Sequence, residues 1–280
     1  MIKYCLFPVA GFGTRFLPVT KTIPKELLPI LDKPLMQYAV DEAYEAGIRE
    51  MVLVINEFKL AIKDYFEPFP YLDKLITNDE IKERKLDCVR KIHDNCSLSF
   101  TNQSEMLGLG HAILQGKKVI GNNPFAVILP DDLCYSENSS VIEQMVEVYK
   151  HNKNKCIVAV EEVEINEVAK YGIIKYSPIS TSNRLFHVED MIEKPSIYEA
   201  PSNLAIIGRY ILTPDIFKVI RKTGPDKNGE IQITNALKQL ALEGKVIAYK
   251  FQGKRIDCGS VEGYLEGNNF FSRMESKPKF

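Results

Sequence analysis

Apolar, β-rich runs alternate with helical patterns along the first half of the sequence. The runs YCLFPV, MVLVI and FAVILPD are separated by stretches such as PLMQYAVDEAYEAG and SVIEQMVEVYK, whose apolar residues recur with helical spacing. Strands that alternate with helices form parallel sheets, because each connecting helix packs on a face of the sheet. This order predicts an α/β fold with a doubly wound, mainly parallel sheet.

The second half of the chain carries more strand-like runs but loses the regular alternation. They read CIVAVEEV, YGIIKYS, RLFHVEDMIEK and NLAIIGRYIL, and helical patterns return near residues 215–222 and 233–243. No linker rich in proline, glycine or serine separates the halves, so these runs predict extra strands beside the first sheet, in the manner of a substrate subsite. The complete prediction is a Rossmann-like α/β fold with a mixed sheet, in one domain over residues 1–280.

Local signals define the first helix well and the middle of the chain poorly. Asp32 is expected to cap the first helix, Pro34 lies near its first turn, and Gly47 follows it, where a left-handed residue is common. The polar stretch 63–93 predicts peripheral helices.

Charge and cysteine usage limit the possible partners. The chain has 36 basic and 37 acidic side chains, so any anion site must be local. Its six cysteines are scattered without a CxxC pair, which predicts reduced thiols. The N-terminus lacks a signal-peptide pattern, and no run approaches the roughly 18 apolar residues of a membrane span. We therefore expect a cytoplasmic protein that binds neither nucleic acid nor membrane.

Two glycines follow the first strand-like run, in the loop AGFGTRFLPVTKTIPKELLPI. Glycine has no Cβ, so its backbone can approach a phosphate closely. A dinucleotide fingerprint would need a third glycine at Phe16 and a helix directly after it, but prolines follow at positions 18 and 24. The P-loop string G-x-x-x-x-G-K-[ST] occurs nowhere in the sequence. Two common phosphate-binding designs are therefore disfavoured.

The loop is long enough to wrap a nucleoside triphosphate. Arg15 offers a planar fork for phosphate oxygens, whereas Lys21 and Lys25 act as mobile point charges. The alternative is a surface loop whose basic residues face water. The strings GTR and PKE in the same loop favour the triphosphate.

Three aspartates are candidates for a metal site. Asp131 and Asp132 follow the apolar run FAVILP, and Asp257 lies in the string RIDCGS. Ligands of open α/β sheets bind beyond the carboxyl ends of the strands, so a carboxylate there is well placed for a metal. Mg²⁺ prefers oxygen donors and commonly takes one or two carboxylates together with substrate phosphates. The alternative is that these carboxylates cap helices or stabilise turns.

The loop and several later strings resemble a known enzyme family. AGFGTRFLPVTKTIPKELLPILDKPLMQY is similar to the signature segment of sugar-1-phosphate nucleotidylyltransferases. QSEMLGLGHAIL, FAVILPDDL, MIEKP, EIQIT and DCGS narrow the resemblance to the bacterial UTP:glucose-1-phosphate uridylyltransferases. The resemblance covers nearly the whole chain apart from about residues 63–93, and Asn235 stands where the family usually has aspartate.

The resemblance implies a role for each part of the chain. Residues 1–155 are expected mainly to bind the nucleotide, residues 156–260 mainly the sugar phosphate, and residues 261–280 to form a C-terminal helix. The catalytic residues implied are Arg15, Lys25 and Lys194, and the implied Mg²⁺ ligands are Asp131 and Asp257. The nucleotide is expected to contact Ala10, Gly11, Gly13, Thr14, Glu26, Gln103 and Gly108. The sugar phosphate is expected to contact Gly172, Glu193 and Lys194.

Some of these residues have plainer interpretations when the resemblance is set aside. Lys194 beside Glu193 could form an exposed ion pair, Gly172 could be a turn glycine, and Gln103 could face solvent from a strand. As a binding residue, Gln103 would match the O4 and N3–H edge of uracil, because a carboxamide both donates and accepts. His111 opens a helical pattern and is expected to be structural.

The resemblance implies Mg²⁺-dependent transfer of the uridylyl group of UTP to glucose 1-phosphate, with release of pyrophosphate. The second pKa of a phosphate monoester is about 6, so the attacking phosphate is largely ionised near pH 7 and needs no general base. The alternatives are a thymidylyl- or uridylyltransferase for another sugar 1-phosphate, and a catalytically silent regulator that binds nucleotide sugars.

The resemblance also implies a homodimer or homotetramer, since the family usually forms homo-oligomers. The last helical stretch places apolar side chains at roughly helical spacing, at Tyr264, Leu265, Phe271 and Met274. This stripe either packs on its own domain or forms part of a two-fold interface.

Overall fold

The computed structural model describes residues 1–77, 79–180 and 182–275. The strands in these residues are β1 (Tyr4–Pro8), β2 (Pro29–Ile30), β3 (Lys33–Pro34), β4 (Glu50–Ile55), β5 (Ser97–Asn102), β6 (Phe125–Ile128), β7 (Asp132–Tyr135), β8 (Cys156–Glu162), β9 (Gly172–Pro178), β10 (Leu185–Glu193), β11 (Leu204–Leu212), β12 (Val246–Lys250) and β13 (Lys254–Asp257).

The helices of the described residues cover both faces and one edge of the strands. They are α1 (Leu35–Glu45), α2 (Leu60–Phe66), α3 (Pro70–Ile76), α4 (Glu80–Asn95), α5 (Gly108–Gln115), α6 (Lys117–Ile120), α7 (Val141–His151), α8 (Asp215–Lys222), α9 (Ile233–Leu242) and α10 (Val261–Glu275). Short 3₁₀ turns span Thr14–Phe16, Val19–Lys21, Lys25–Leu27 and Ile165–Lys170.

Nine strands form one mixed sheet in the order β5-β4-β1-β6-β11-β8-β12-β10-β9. The first four strands are parallel neighbours, as predicted from the alternation of strands and helices. The strands of the second half join the same sheet, and β11 is antiparallel to both β6 and β8. The predicted α/β fold with extra strands is confirmed. The sheet is mixed because the added strands pair largely antiparallel, apart from β8 with β12.

Each face of the sheet carries its own apolar core. Val40 of α1 and Met145 of α7 are buried on one face, and Ile113 of α5 and Leu237 of α9 are buried on the other. Burial of apolar surface on both faces is the main stabilising contribution in such a layered fold. The sheet runs through both predicted halves of the chain, and the division of labour between those halves stays a prediction.

The start of the first helix differs from the sequence-based expectation. Asp32 was expected to cap α1, and this is wrong: the helix begins after Pro34 without a side-chain cap. The cause is the short antiparallel pairing of β2 with β3, which occupies the residues just before the helix. Asp32 lies in the turn between them, 3.1 Å from Lys85 Nζ. Gly47, with φ of 81°, adopts the left-handed conformation predicted for it.

The other helix predictions are confirmed. The polar stretch 63–93 forms most of α2, α3 and α4, which lie beside the β4–β5 edge, and α8 and α9 occupy their expected positions. None of the helices in the described ranges combines the length and apolarity that crossing a membrane requires.

The last helix, α10, packs on its own chain along one side. The ring centroids of Phe271 and Tyr38 are 5.1 Å apart, and those of Tyr264 and Phe16 are 5.8 Å apart. Leu265 is 56% exposed. Two of the four apolar side chains singled out in this helix therefore contribute to the intramolecular core, which favours the packing alternative for that side of the helix.

Candidate active site

The parallel pairing of β1 and β6 brings the glycine-rich loop and Asp131 to the same edge of the sheet. The loop follows β1, and Asp131 follows β6, so both lie beyond the carboxyl ends of their strands, where open α/β sheets bind ligands. A cleft of about 250 Å³ opens at this edge. The predicted site residues that line it are Arg15, Asp131, Gly172, Glu193, Lys194 and Asp257.

A lysine of the loop contacts the first predicted metal ligand directly. Lys25 Nζ donates a hydrogen bond to Asp131 Oδ2 at 2.5 Å. Gly13 makes room for this lysine, because a Cβ on Gly13 would lie only 3.0 Å from Lys25 Cβ. The φ of Gly13 is also 64°, in the left-handed region that side chains disfavour. Glycine is thus required at position 13 for both the turn and the packing.

The two charges of this pair stabilise each other. Burial alone would raise the pKa of Asp131, but the nearby Lys25 ammonium outweighs it and holds that pKa below its usual value. Burial alone would lower the pKa of Lys25, and here Asp131 and Glu26 reverse the effect and raise it. Both groups are therefore charged near neutral pH.

The second carboxylate and the loop arginine meet Asp131 around Gly259. A Cβ on Gly259 would lie 3.0 Å from Asp257 Oδ1 and 3.2 Å from Asp131 Oδ2. It would lie 3.6 Å from Arg15 Nη1, and the same Nη1 donates to the Gly259 carbonyl at 3.3 Å. The absence of a side chain at position 259 leaves a small space bounded by two carboxylates and one guanidinium.

This space fits a divalent cation that also binds phosphates. Asp131 and Asp257 each place one carboxylate oxygen beside this space, and Mg²⁺ commonly takes one or two carboxylates together with substrate oxygens. Within residues 1–77, 79–180 and 182–275, no cluster of three or more His, Cys, Asp or Glu side chains forms a closed metal site.

Asp132, the neighbour of Asp131, is occupied by structural contacts. Its Oδ2 accepts the Gly208 N–H at 2.6 Å, and its Oδ1 accepts Arg255 Nε at 2.5 Å. Burial raises the pKa of Asp132, with Arg255 opposing the shift. Arg255 also donates to Asp257 Oδ2 at 3.1 Å, so it orients the second predicted metal ligand. Sequence reasoning missed Arg255, although positions 255 and 257 share one face of β13.

A residue that directly follows β4 holds the start of the glycine-rich loop by a hydrogen bond. Ala10 is buried, and its carbonyl accepts Asn56 Nδ2 at 2.5 Å. Gly11 and Thr14 are exposed at the mouth of the loop, and no atom lies within 4 Å of a Cβ built on Gly11. Asn56 was also missed, and its position directly after the run MVLVI was the available signal.

Glu26 belongs to the glycine-rich loop, but its side chain is buried. It is 1% exposed, and its Oε2 accepts Lys59 Nζ at 2.6 Å. Its Oε1 has no hydrogen-bond partner among the described residues. Burial raises the pKa of Glu26 despite the opposing effect of Lys59, a residue that sequence reasoning did not identify. A contact between Glu26 and the nucleotide stays a prediction.

The predicted nucleobase residues lie together. Gln103 is 4% exposed, so the solvent-facing alternative is wrong; its Nε2 donates to the Gly108 carbonyl at 3.2 Å. Gly108 has φ of 85°, and a Cβ there would lie 2.9 Å from Glu230 Cβ. His111 contacts Gln103 through Nδ1 at 3.1 Å, in keeping with the structural role expected for it.

The predicted sugar-phosphate residues lie across the cleft from the loop. Gly172 opens β9 and pairs with Glu193 at the end of β10, so it is a strand residue and not a turn glycine. Lys194 has φ of 47°, an uncommon conformation for a residue with a side chain, and its Nζ lies 3.5 Å from Glu193 Oε1. Thr234, also missed from sequence, donates to Glu193 Oε2 at 2.6 Å.

A family model described as nucleotidyl transferase matches residues 9–273. The chain belongs to the nucleotidyl transferase family. Enzymes of this family generally use a divalent metal, which agrees with the two carboxylates that lie around Gly259.

Individual relatives of this nucleotidyl transferase are close over their full length. The chain is 54% identical over 272 residues, 96% of each chain, to a UTP–glucose-1-phosphate uridylyltransferase of Pseudomonas aeruginosa. It is 42% identical to UTP–glucose-1-phosphate uridylyltransferase 2 of Staphylococcus saprophyticus, over 95% of this chain and 90% of that one. The crystal structure of a UDP-glucose pyrophosphorylase complexed with UDP-glucose has a TM-score of 0.90 and 52% identity, over 98% of this chain and 100% of that one. The expected resemblance to bacterial uridylyltransferases is confirmed.

Proposed function

We propose that the protein transfers the uridylyl group of UTP to glucose 1-phosphate, giving UDP-glucose and pyrophosphate, with Mg²⁺ as its cofactor. The observation that carries this proposal is the contact of Lys25 Nζ with Asp131 Oδ2 at 2.5 Å, beside Arg15 and Asp257. Cations and metal-binding carboxylates converge there at the ligand-binding edge of the sheet. The names of the relatives support UTP and glucose 1-phosphate as the substrates.

The reaction joins two anions, so the protein must neutralise charge and align the reacting atoms. A phosphate oxygen of glucose 1-phosphate attacks the α-phosphorus of UTP, and the bond from that phosphorus to the bridging oxygen of pyrophosphate breaks. The nucleophile is already ionised near pH 7, so no base is required. Within the described residues, the cleft is lined by arginine and lysine but by no histidine. This composition suits catalysis by positioning and electrostatic stabilisation.

The predicted metal ligands and catalytic residues each have a place in this scheme. Asp131 and Asp257 would hold Mg²⁺, which when bound neutralises phosphate charge next to the α-phosphorus. Arg15 and Lys25 would bind phosphate oxygens of UTP. Lys194 would neutralise the sugar phosphate.

The remaining residues would bind the neutral parts of the substrates. Glu193 accepts hydrogen bonds from sugar hydroxyls in this scheme, and the Gly172 backbone forms the wall beside it. Gln103 and Gly108 bind the nucleobase. The loop backbone approaches the nucleotide at Ala10, Gly11, Gly13 and Thr14.

We extend the proposal to the setting in which the protein works. All six cysteines are free thiols, which supports a reducing, cytoplasmic location. The family resemblance supports a homodimer or homotetramer. Light scattering of the purified protein tests this, because a mass near the 31.8 kDa of one chain would contradict it.

Pyrophosphate release over a panel of substrates tests the proposed reaction. UTP and dTTP are each combined with glucose, galactose and N-acetylglucosamine 1-phosphates, with Mg²⁺ or with EDTA. We expect the highest kcat/KM for UTP with glucose 1-phosphate and no release in EDTA. A higher kcat/KM for dTTP or for another sugar would identify a different transferase, and no release with any pair would contradict the enzyme assignment.

A further inference from the structure

A buried threonine holds the carboxylate of the proposed sugar subsite. Thr234 is the second residue of α9 and is 4% exposed. Its Oγ1 donates to Glu193 Oε2 at 2.6 Å, across 41 positions of sequence. An ionised carboxylate only accepts hydrogen bonds, so the direction of this bond is defined. A bond from a hydroxyl to a carboxylate is charge-assisted and stronger than one between neutral groups.

The two residues form one wall of the cleft together with Gly172. Gly172 and Glu193 are paired in register between β9 and β10. A Cβ on Gly172 would lie 3.0 Å from Thr234 Oγ1 and 3.3 Å from Glu193 Oε2. The hydrogen bond therefore lies directly over the glycine backbone, and all three residues line the cleft that contains the predicted metal ligands.

The opposite oxygen of the carboxylate faces the other proposed sugar-phosphate residue. Lys194 Nζ lies 3.5 Å from Glu193 Oε1. With Oε2 held by Thr234, the plane of the carboxylate is fixed between a buried hydroxyl and a half-exposed ammonium. Without the hydroxyl, the terminal torsion of glutamate is broad and would allow many orientations.

The segment that precedes Thr234 is held by backbone contacts that reach the proposed base pocket. The Ile231 N–H donates to the Leu107 carbonyl at 2.8 Å, and the Gly110 N–H donates to the Ile231 carbonyl at 2.8 Å. The segment that leads into α9 is thus fixed to the turn that carries Gly108. Thr234 lies three residues after Ile231, in the first turn of α9.

We propose that Thr234 is a positioning residue that sets the selectivity for the sugar by orienting the Glu193 carboxylate. This inference rests on the proposed function, in which Glu193 accepts hydrogen bonds from the sugar hydroxyls. A site whose acceptor has a fixed direction discriminates against a sugar with one hydroxyl inverted, because the inverted sugar leaves polar groups unpaired. A carboxylate that rotates freely adapts to either sugar and binds each of them less well.

Substitutions that remove or keep the hydroxyl test this role. Thr234→Val removes the hydroxyl at almost constant volume, and Thr234→Ser keeps it. Thr223→Val is the matched control, since Thr223 is also buried and donates to the Val219 carbonyl at 3.0 Å, outside the cleft. We measure kcat and KM for UTP, glucose 1-phosphate and galactose 1-phosphate, and the ratio of Kd for UDP to Kd for UDP-glucose by calorimetry.

Thr234→Val is expected to lower kcat/KM for glucose 1-phosphate about tenfold or more, the scale of one hydrogen bond to a charged group. The preference for glucose over galactose and the Kd ratio should both fall, while KM for UTP stays within about twofold. Thr234→Ser should restore the preference, and Thr223→Val should leave it unchanged. If the valine variant does not fold, Thr234→Ala takes its place with the same expectations.

Two results would overturn the inference. The first is an unchanged preference for glucose over galactose in the variant without the hydroxyl, which includes a uniform fall in kcat/KM for both sugar phosphates. The second is an equal loss of preference in Thr234→Ser, which would indicate that the methyl group packs rather than that the hydroxyl orients. Failure of the proposed function is seen separately, as no uridylyl transfer to glucose 1-phosphate by the unmodified protein.

Discussion

Replacement of Lys25 by methionine tests the central contact of the site. Methionine keeps an unbranched stem of similar length, so the packing over Gly13 is retained while the charge on Asp131 loses its partner. Loss of one preorganised charge-stabilising group lowers kcat about 10²- to 10³-fold, or about 3–4 kcal/mol of transition-state stabilisation. We therefore expect Lys25→Met to lower kcat by at least about a hundredfold.

The effect of Lys25→Met on stability should be smaller. The side chains of Lys25 and Asp131 are only 22% and 25% exposed, so the variant leaves a largely buried carboxylate without its partner. That loss costs about 1–3 kcal/mol of the free energy of unfolding. For a chain of this size each kcal/mol corresponds to a fall in Tm of about 2 °C.

The assay separates the two effects and includes a control away from the loop. Pyrophosphate release at saturating UTP and glucose 1-phosphate gives kcat, and circular dichroism gives Tm. Lys118→Met removes a charge from an exposed lysine of α6, outside the cleft, and should change kcat less than about threefold. A kcat near that of the unmodified protein in a well-folded Lys25→Met variant would refute the assignment of Lys25 to the phosphate site.

Three further perturbations have defined outcomes. Asp131→Asn and Asp257→Asn should each raise the Mg²⁺ concentration that gives the half-maximal rate. The double variant should be little worse than the more impaired single variant, because both carboxylates act through one ion. Mg²⁺ titrations equal to those of the unmodified protein would contradict this. Gly13→Ala should lower the free energy of unfolding by about 1–2 kcal/mol in urea titration, because φ is 64° there. Gly11→Ala, where a Cβ meets no atom within 4 Å, should leave stability nearly unchanged. Phe271→Ala removes a ring packed on Tyr38 and should lower the free energy of unfolding by about 2 kcal/mol in the same titration, with kcat/KM retained. An unchanged unfolding midpoint would contradict the packing role of Phe271.

The order of strands and helices was predictable because hydrophobic periodicity reflects burial against a sheet. The resemblance located the residues expected to touch substrates, including Asp131 and Asp257, and the fold does bring these two together. The site residues that were missed act on other side chains instead. Arg255 reaches Asp132 across 123 positions, and Thr234 reaches Glu193 across 41. Pairings of this kind depend on the sheet order, which no local pattern encodes.

The same reasoning explains the one local signal that failed. Asp32 has the chemistry of a helix cap, but its backbone position is fixed by the pairing of β2 with β3. Tertiary context thus outweighed a capping preference of about 1 kcal/mol. The pairing of Glu26 with Lys59 likewise depends on tertiary context, because the two residues lie 33 positions apart in sequence.

The contact between Arg15 and Gly259 joins residues separated by 244 positions, and Asp131 meets Asp257 in the same space. A ribosome must therefore synthesise nearly the whole chain before the two carboxylates can come together. At about 5–20 residues per second, the parallel strands β1, β4, β5 and β6 emerge several seconds before the last ligand does. During that interval the nascent chain has the glycine-rich loop but only one of the two carboxylates of the proposed metal site. A chain that terminates before β13 is therefore expected to be inactive.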